Sequence, residues 1–394
     1  MADSTGGPPP IPYGRQSITD DDIDAVVRVL RGDWLTTGPA VDAFEAALAR
    51  CGGTGHAVAV SSGTAALHVA YAALNLSPGD DIVTTPLTFV ATANAALMLG
   101  ASVKFADVEP DTGNLNAETV GALITQRTRL IVGVDFAGHP ADYDALRALA
   151  HGRIRVVADG AHSLGATYRG RAVGSLADAT TLSFHPVKTI TTGEGGAILT
   201  ADAEVAATAR TLRNHGIVRP GEGGRRRGGD EASGGKRPAW YYDVRTVGCN
   251  YRIPDILCAL GSSQLGRLDA FVERRRELAM RYRAAMAGFD GIEQPVERDD
   301  VRSCWHLYVL RVREAGRRDA FFDKLRELGL GVQVHYKPAH LHAIFAERGY
   351  RVGSCPVAED FAARAVSIPL YPGMSDADAA RVIETVERAC REVL

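Results

Sequence analysis

Apolar residues along this chain keep two rhythms. From about Ile18 to Ala201, segments with helical spacing alternate with short runs rich in β-branched residues. "DDDIDAVVRVLR" predicts an amphipathic helix, opened by Thr19 or Asp20 as its cap. "HAVAVSSGTAALHVAYAAL" reads as strand, turn and helix, the helix starting at about Thr64. "DIVTTP" is a strand and "FVATANAALMLG" a helix ended by Gly100. "SVKFADV", "RLIVGVDFAG" and "IRVVADGAHSLGA" add short strands, as do residues 179–184 and 197–200. Strands alternating with helices predict an α/β fold with a mainly parallel sheet covered on both faces.

The rhythm then breaks. Residues 219–238, "RPGEGGRRRGGDEASGGKRP", are Gly-rich and carry both charge signs, which predicts a mobile solvated loop. Arg225, Arg226 and Arg227 lack aromatic interleaving, so they do not read as a nucleic-acid patch. "IPDILCALGSSQLGRLDAFVERRRELAMRYRAAM" reads as one long helical region. "HLYVLRVR", "DAFFDKLRELGL", "VQVHYKP" and a helical C-terminus predict a smaller α+β domain. The expected organisation is a flexible N-terminal tail or arm over residues 1–17, a large domain over 18–263 and a small domain over 264–394.

Composition narrows the class. The chain has 394 residues, of which 46% are hydrophobic and 23% charged, as in ordinary globular proteins. A formal net charge of −3 gives no global field for nucleic acid or anionic membrane. Six scattered cysteines without a CxxC pair fit free thiols in a reducing cytoplasm, not a disulfide framework or zinc site. No apolar run approaches the roughly 20 residues of a membrane span. The start, "MADSTGGPPPIP", lacks the basic and apolar regions of a signal peptide.

Candidate chemistry centres on "SFHPVKTITTGEGG", residues 183–196. Lys188 sits in a turn between two strands, where lost hydration would lower its pKa toward a usable amine. Gly63 and Thr64 open a helix after a strand, where backbone N–H groups favour a phosphate. Asp159 closes an apolar strand and could pair with a ring nitrogen; His162 follows three residues later. Phe89 could stack on a flat ring. Asn250 and Arg252 flank a helix start in "GCNYRIPD". A hairpin lysine, a turn aspartate, a packing phenylalanine and a capping asparagine would each explain its residue taken singly. Together, with Ser183, they match pyridoxal 5′-phosphate, which needs a Schiff-base lysine, an acid at the pyridine nitrogen, a stacking side chain and a phosphate cup.

The motifs "WLTTGP", "SSGTAALHVAYAAL", "TTPLTFVATANAALMLGA", "ADGAHSLGA", "SFHPVKTITTGEGGAI", "RNHGI" and "VQVHYKP" resemble the DegT/DnrJ/EryC1/StrS sugar aminotransferases. The likeness runs from about Tyr13 to the C-terminus. It is greatest to the subgroup of UDP-4-amino-4,6-dideoxy-N-acetyl-β-L-altrosamine transaminases of pseudaminic acid synthesis. It implies a fold-type I pyridoxal-phosphate-dependent transferase, with Lys188 as the Schiff-base lysine and Asp159 on the pyridine nitrogen. His162 would lie near the ring, where many relatives carry Gln, and Phe89 would stack on it. Gly63, Thr64 and Ser183 would bind phosphate or ring substituents. Asn250 would reach the phosphate in the neighbouring subunit, making a homodimer with shared sites. Tyr13, Asp33, Trp34, Leu35, Thr36, Gln333, Val334, His335 and Tyr336 would line a nucleotide-sugar site, with Lys337 beside them.

The resemblance further implies amino transfer, with glutamate as donor, to C4 of a nucleotide-linked 4-keto-6-deoxyhexose, UDP-linked and N-acetylated. Sugar dehydratases that resemble this chain carry histidine in place of the lysine, so Lys188 favours transamination. Another keto sugar or a keto-cyclitol of antibiotic synthesis stays open as substrate. A non-catalytic relative would need neither Lys188 nor Asp159.

Overall fold

The alternation resolves into one seven-stranded sheet. The computed structural model of the chain describes residues 9–219, 238 and 240–394. In chain order the strands are β1 (His56–Val60), β2 (Asp81–Thr84), β3 (Ser102–Phe105), β4 (Thr128–Val134), β5 (Arg155–Asp159), β6 (Ala179–Ser183) and β7 (Gly196–Thr200). Their order in the sheet is β1-β7-β6-β5-β4-β2-β3. β7 runs antiparallel to β1 and β6, and the other pairings are parallel. Six strands therefore share one direction, and their carboxyl ends meet at one edge.

Nearly every sheet residue is buried, because helices cover both faces. The Gly63–Ala73 and Ala91–Met98 helices pack into one layer with Val58, Val60, Ile82 and Leu130. The Pro39–Cys51 helix packs on the other face with Ala57, Val83 and Ile131. The helix expected before Gly100 ends at Met98, and Gly100 takes φ +75°, a conformation suited to glycine.

The region read as one long helix is two, Asp255–Leu265 and Leu268–Ala285. Apolar spacing continues across the break, but Arg267 there turns to pair with Asp22, and that tertiary contact fixes the bend. The second helix joins two cores. Leu268, Phe271 and Val272 pack beneath the large sheet, while Leu278, Ala279 and Tyr282 enter a third core. That core surrounds a small antiparallel sheet of Ile292–Glu293, Tyr308–Val312 and Ala365–Ile368. The Arg318–Glu327 and Asp376–Val393 helices pack there through Phe321, Leu325, Val382 and Val386.

The tail expected to be flexible over residues 1–17 is pinned from Ile11 onward. Ile11 is buried, its N–H donates to Gly329 O at 3.0 Å, and its carbonyl accepts from Gly331 N at 2.7 Å. The carbonyl of Tyr13 accepts from Leu370 N at 3.2 Å. The loop expected at 219–238 lies almost wholly outside the described residues. Among the described residues no helix is long and apolar enough to cross a membrane, and no side-chain cluster could hold a metal ion. All six cysteines are free.

Candidate active site

Lys188 lies in the loop that returns the chain from β6 to the antiparallel β7. The loop closes by Phe184 N donating to Gly195 O at 2.9 Å, and the Lys188 N–H donates to His185 O at 2.9 Å. A side chain on Gly196 would meet Ser62 O at 2.5 Å, and one on Gly63 would meet Ser183 Cβ at 2.9 Å. These two glycines let the helix start after β1 approach the lysine loop. Ser62 caps that helix, its Oγ accepting from Ala65 N at 3.1 Å. The N–H groups of Gly63 and Thr64 have no partner within the helix.

Asp159 ends β5 and is 6% exposed. Its Oδ2 accepts from Thr92 Oγ1 at 2.7 Å and its Oδ1 from Ala161 N at 3.2 Å. Thr88 Oγ1 stands 2.7 Å from Thr92 Oγ1 and completes a short hydroxyl chain. Burial raises the Asp159 carboxyl above its usual pKa, opposed by the Thr92 and Ala161 hydrogen bonds and the charge of Lys188. Burial pulls the Lys188 ammonium down to about 8, and the attraction of Asp159 only partly offsets this.

These groups line a cavity of about 590 Å³ at the carboxyl edge of the sheet. Phe89 lines it too and is 62% exposed, which rules out the core-packing role its sequence context allowed. Across the cavity stand Tyr13, Gln333, Val334, His335 and Tyr336. Gln333 pairs with Ser367 through both backbone groups, and His335 Nδ1 lies 2.8 Å from Ser367 Oγ. The Tyr13 and His335 ring centroids are 5.7 Å apart. Tyr336 OH lies 3.1 Å from His162 Nε2. Burial, with the nearby Lys188 charge, pulls His335 down to about 4, so its imidazole is neutral.

The same cavity thus gathers Gly63, Thr64, Phe89, Asp159, His162, Ser183 and Lys188 with Tyr13 and residues 333–336. Asp33, Trp34, Leu35, Thr36, Asn250 and the exposed Lys337 are not among its lining. Trp34 is 58% exposed, Thr36 bridges to Pro254, and Asn250 bridges to Asn214. Asp255 ties this second region together by accepting from Gly38 N at 2.8 Å and Ala40 N at 3.0 Å. The region borders a separate concavity of about 460 Å³ lined by Thr37, Asn214 and Arg252, among others.

Three contributors escaped sequence reasoning. Ser62 carried a readable signal, a serine before a helix. Thr92, a helical turn after Phe89, was legible only as helix. His306 flanks an apolar strand and had no local signal.

The aminotransferase family model named DegT/DnrJ/EryC1/StrS matches residues 16–387. The chain belongs to that family. SpsC, a spore coat polysaccharide biosynthesis protein of Bacillus subtilis strain 168, is 40% identical over 383 residues, 95% of this chain and 96% of that one. The structure of Spr1654 from Streptococcus pneumoniae in its PMP form superposes with a TM-score of 0.90 at 30% identity, covering 98% of this chain and 100% of the other. Helicobacter pylori PseC, an aminotransferase involved in the biosynthesis of pseudoaminic acid, superposes with a TM-score of 0.88 at 29% identity, covering 97% of this chain and 100% of the other. The chain is a pyridoxal-phosphate-dependent sugar aminotransferase of fold type I.

The donor set of the cavity fits that cofactor. It offers a lysine with a depressed pKa, a buried carboxylate, a capped helix start and an exposed aromatic face. His162 Nδ1 and His306 Nδ1 are buried without a hydrogen-bond partner.

Proposed function

We propose that this aminotransferase moves an amino group from L-glutamate to C4 of a nucleotide-linked 4-keto-6-deoxyhexose, with a UDP-linked N-acetyl sugar as the preferred acceptor. The observation that carries this reading is Lys188 beside Asp159 on one wall of a single cavity, faced by neutral hydrogen-bonding groups on the other. When bound, pyridoxal phosphate supplies a ring that accepts electrons and carries the amino group between the two substrates. Lys188 is the residue it bonds to.

Asp159 would hold the pyridine nitrogen protonated. Two hydrogen-bond donors already fix its carboxylate, and a cationic ring would counter the burial that raises its pKa. Gly63, Thr64 and Ser183 would take the phosphate at the helix start, and Phe89 would cover one ring face. Lys188 Nζ, once released, would move the proton between the donor or sugar carbon and the cofactor. A pKa near 8 suits this, because both protonation states are populated near neutral pH. Tyr13, His335 and Tyr336 would donate or accept hydrogen bonds to sugar oxygens without adding charge.

The acceptor is tested with a panel of UDP- and dTDP-linked 4-keto sugars and free keto-cyclitols, each with glutamate, read by mass. The UDP-linked N-acetyl 4-ketone should show the highest kcat/KM. A free keto-cyclitol that outcompetes every nucleotide-linked ketone would overturn the substrate reading and leave the cofactor chemistry standing.

We also propose a homodimer with shared sites. Asn250 and residues 33–36 lie outside their own chain's cavity, and Trp34 and Leu35 leave apolar surface uncovered. In this reading they complete the partner's site. Mixing Lys188→Ala with Asn250→Ala protomers should restore part of the activity that each variant lacks alone. A fully active monomer in solution would sink the shared site.

A further inference from the structure

The segment Ser303 to Leu307 leads into the Tyr308–Val312 strand of the small sheet, and its His306 lines the cavity. Cys304 N donates to Gly138 O at 3.2 Å, Leu307 N to Ala137 O at 3.2 Å, and Ser303 Oγ to Gly138 O at 2.9 Å. Beneath it lies Arg275, 1% exposed. Its NH1 donates to three carbonyls: Trp305 at 3.3 Å, His306 at 3.1 Å and Leu370 at 2.7 Å. A buried guanidinium bound only to carbonyls is costly, so its placement fixes those three backbones together. His306 is thereby held from both sides of its backbone.

The His306 ring meets His162 with centroids 4.3 Å apart and an interplanar angle of 34°. Tyr336 approaches the same imidazole, its ring centroid 6.2 Å away at 20° and its hydroxyl 3.1 Å from Nε2. Cys304 Sγ reaches the His162 carbonyl at 2.9 Å. His162 is thus bounded by His306, Tyr336 and its own anchored backbone. Burial and the Lys188 charge hold it well below its ordinary pKa. Burial, His162, Lys188 and Arg275 do the same for His306. Two neutral rings can stack closely, whereas two imidazolium ions would repel. With both groups neutral, the Tyr336 hydroxyl and His162 Nε2 share one hydrogen bond, whose direction follows the His162 tautomer.

We propose that His306 is a positioning residue: its ring clamps His162 against Tyr336 and fixes the edge that His162 presents to the cofactor. This rests on the reading that places His162 beside pyridoxal phosphate. The face of His306 makes this contact, and its buried Nδ1 has no hydrogen-bond partner to lose when a phenyl ring replaces it.

The test is titration of apoprotein with pyridoxal phosphate, followed by the yellow absorption, with thermal unfolding as the fold control. His306→Phe keeps the flat ring and should bind within about threefold of wild type. His306→Ala removes the face and should weaken binding about tenfold. Should the alanine variant fail to fold, His306→Leu fills the space without a flat face and should weaken binding similarly. The clamp is overturned if the folded alanine or leucine variant binds like wild type. It is also overturned if His306→Phe, equally stable, binds as weakly as they do. Failure of the site reading has a different signature: Lys188→Ala would keep the yellow band at wild-type strength.

Discussion

The two walls of the cavity are built by different means. On one wall Asp159 ends a strand of the seven-stranded sheet, paired in register to Thr181 of the next strand, and Lys188 follows that next strand in the loop closed by Phe184 and Gly195. On the other, Tyr13, His306 and Tyr336 come from three distant segments. Tyr13 is tied by one bond to Leu370, His306 by Arg275, and residues 333–336 by Gln333 pairing with Ser367. The sheet wall shares the cooperativity of the central core, and a small shift there would require moving the whole ladder. The facing wall can change one segment at a time. Chemistry that must not vary belongs on the first, and substrate choice can be rewritten on the second.

If that division holds, substitutions on the sheet wall should abolish reaction with every acceptor alike. Lys188→Ala removes both the bond to the cofactor and the proton carrier. It should lose the yellow band, and turnover should fall on the order of 10⁴-fold or more. Asp159→Asn keeps the shape and the Thr92 contact but removes the charge, so turnover should drop roughly 10²–10³-fold. Circular dichroism and steady-state rates on several acceptors check both. A folded Asp159→Asn variant that stays active on one acceptor would break the division.

The sheet wall also stores a cost that can be measured without substrate. The Lys188 ammonium has an ordinary pKa of 10.5 and is held at about 8 by burial. Below pH 8 the lysine is protonated in both the folded and unfolded chain, and the fold bears the full penalty of the buried charge. Between pH 8 and 10.5 the folded form sheds the proton first, so the penalty fades and stability rises with pH. The penalty is about 3 kcal/mol at most, and water at the cavity mouth screens part of it. Lys188→Met should therefore stabilise the cofactor-free chain by about 1–3 kcal/mol at pH 7, and progressively less toward pH 10.5. Urea midpoints of both proteins across that range measure it; a gain that does not shrink with pH would contradict the burial account.

The same division marks what could be read from the sequence. β5, β6 and the loop between β6 and β7 follow from β-branched runs and glycines, which are local signals. Asp159 was legible because it closes such a run, and Lys188 because it sits in the glycine-containing loop that follows one. Ile11 was hidden in a Pro-rich stretch, since its partners Gly329 and Gly331 lie at the far end of the chain. The bend at Gly266 and Arg267 was hidden because Arg267 answers to Asp22, not to its neighbours. His306 reads as the flank of a strand, and nothing near it announces a ring that meets His162. Residues 33–36 and Asn250 were expected at the site, and they lie outside this chain's own cavity. Periodicity reports contacts within an element; the facing wall is made of contacts between elements.

The smallest expected effect sharpens the comparison most, because it should touch only one substrate. Tyr13 stands on the facing wall, its backbone held by Leu370 and its ring 5.7 Å from that of His335. Burial raises its phenol above the usual pKa, so the hydroxyl stays a donor across the working range. Tyr13→Phe keeps the ring and the backbone tie but removes that donor. Losing one hydrogen bond to a neutral sugar oxygen is worth about 0.5–1.5 kcal/mol, so KM for the sugar should rise roughly two- to tenfold. The amino-donor half-reaction, followed by bleaching of the yellow band with glutamate alone, should keep its wild-type rate. Equal losses in both halves would mean that Tyr13 supports the cofactor wall as well, and the two walls would then not be separable.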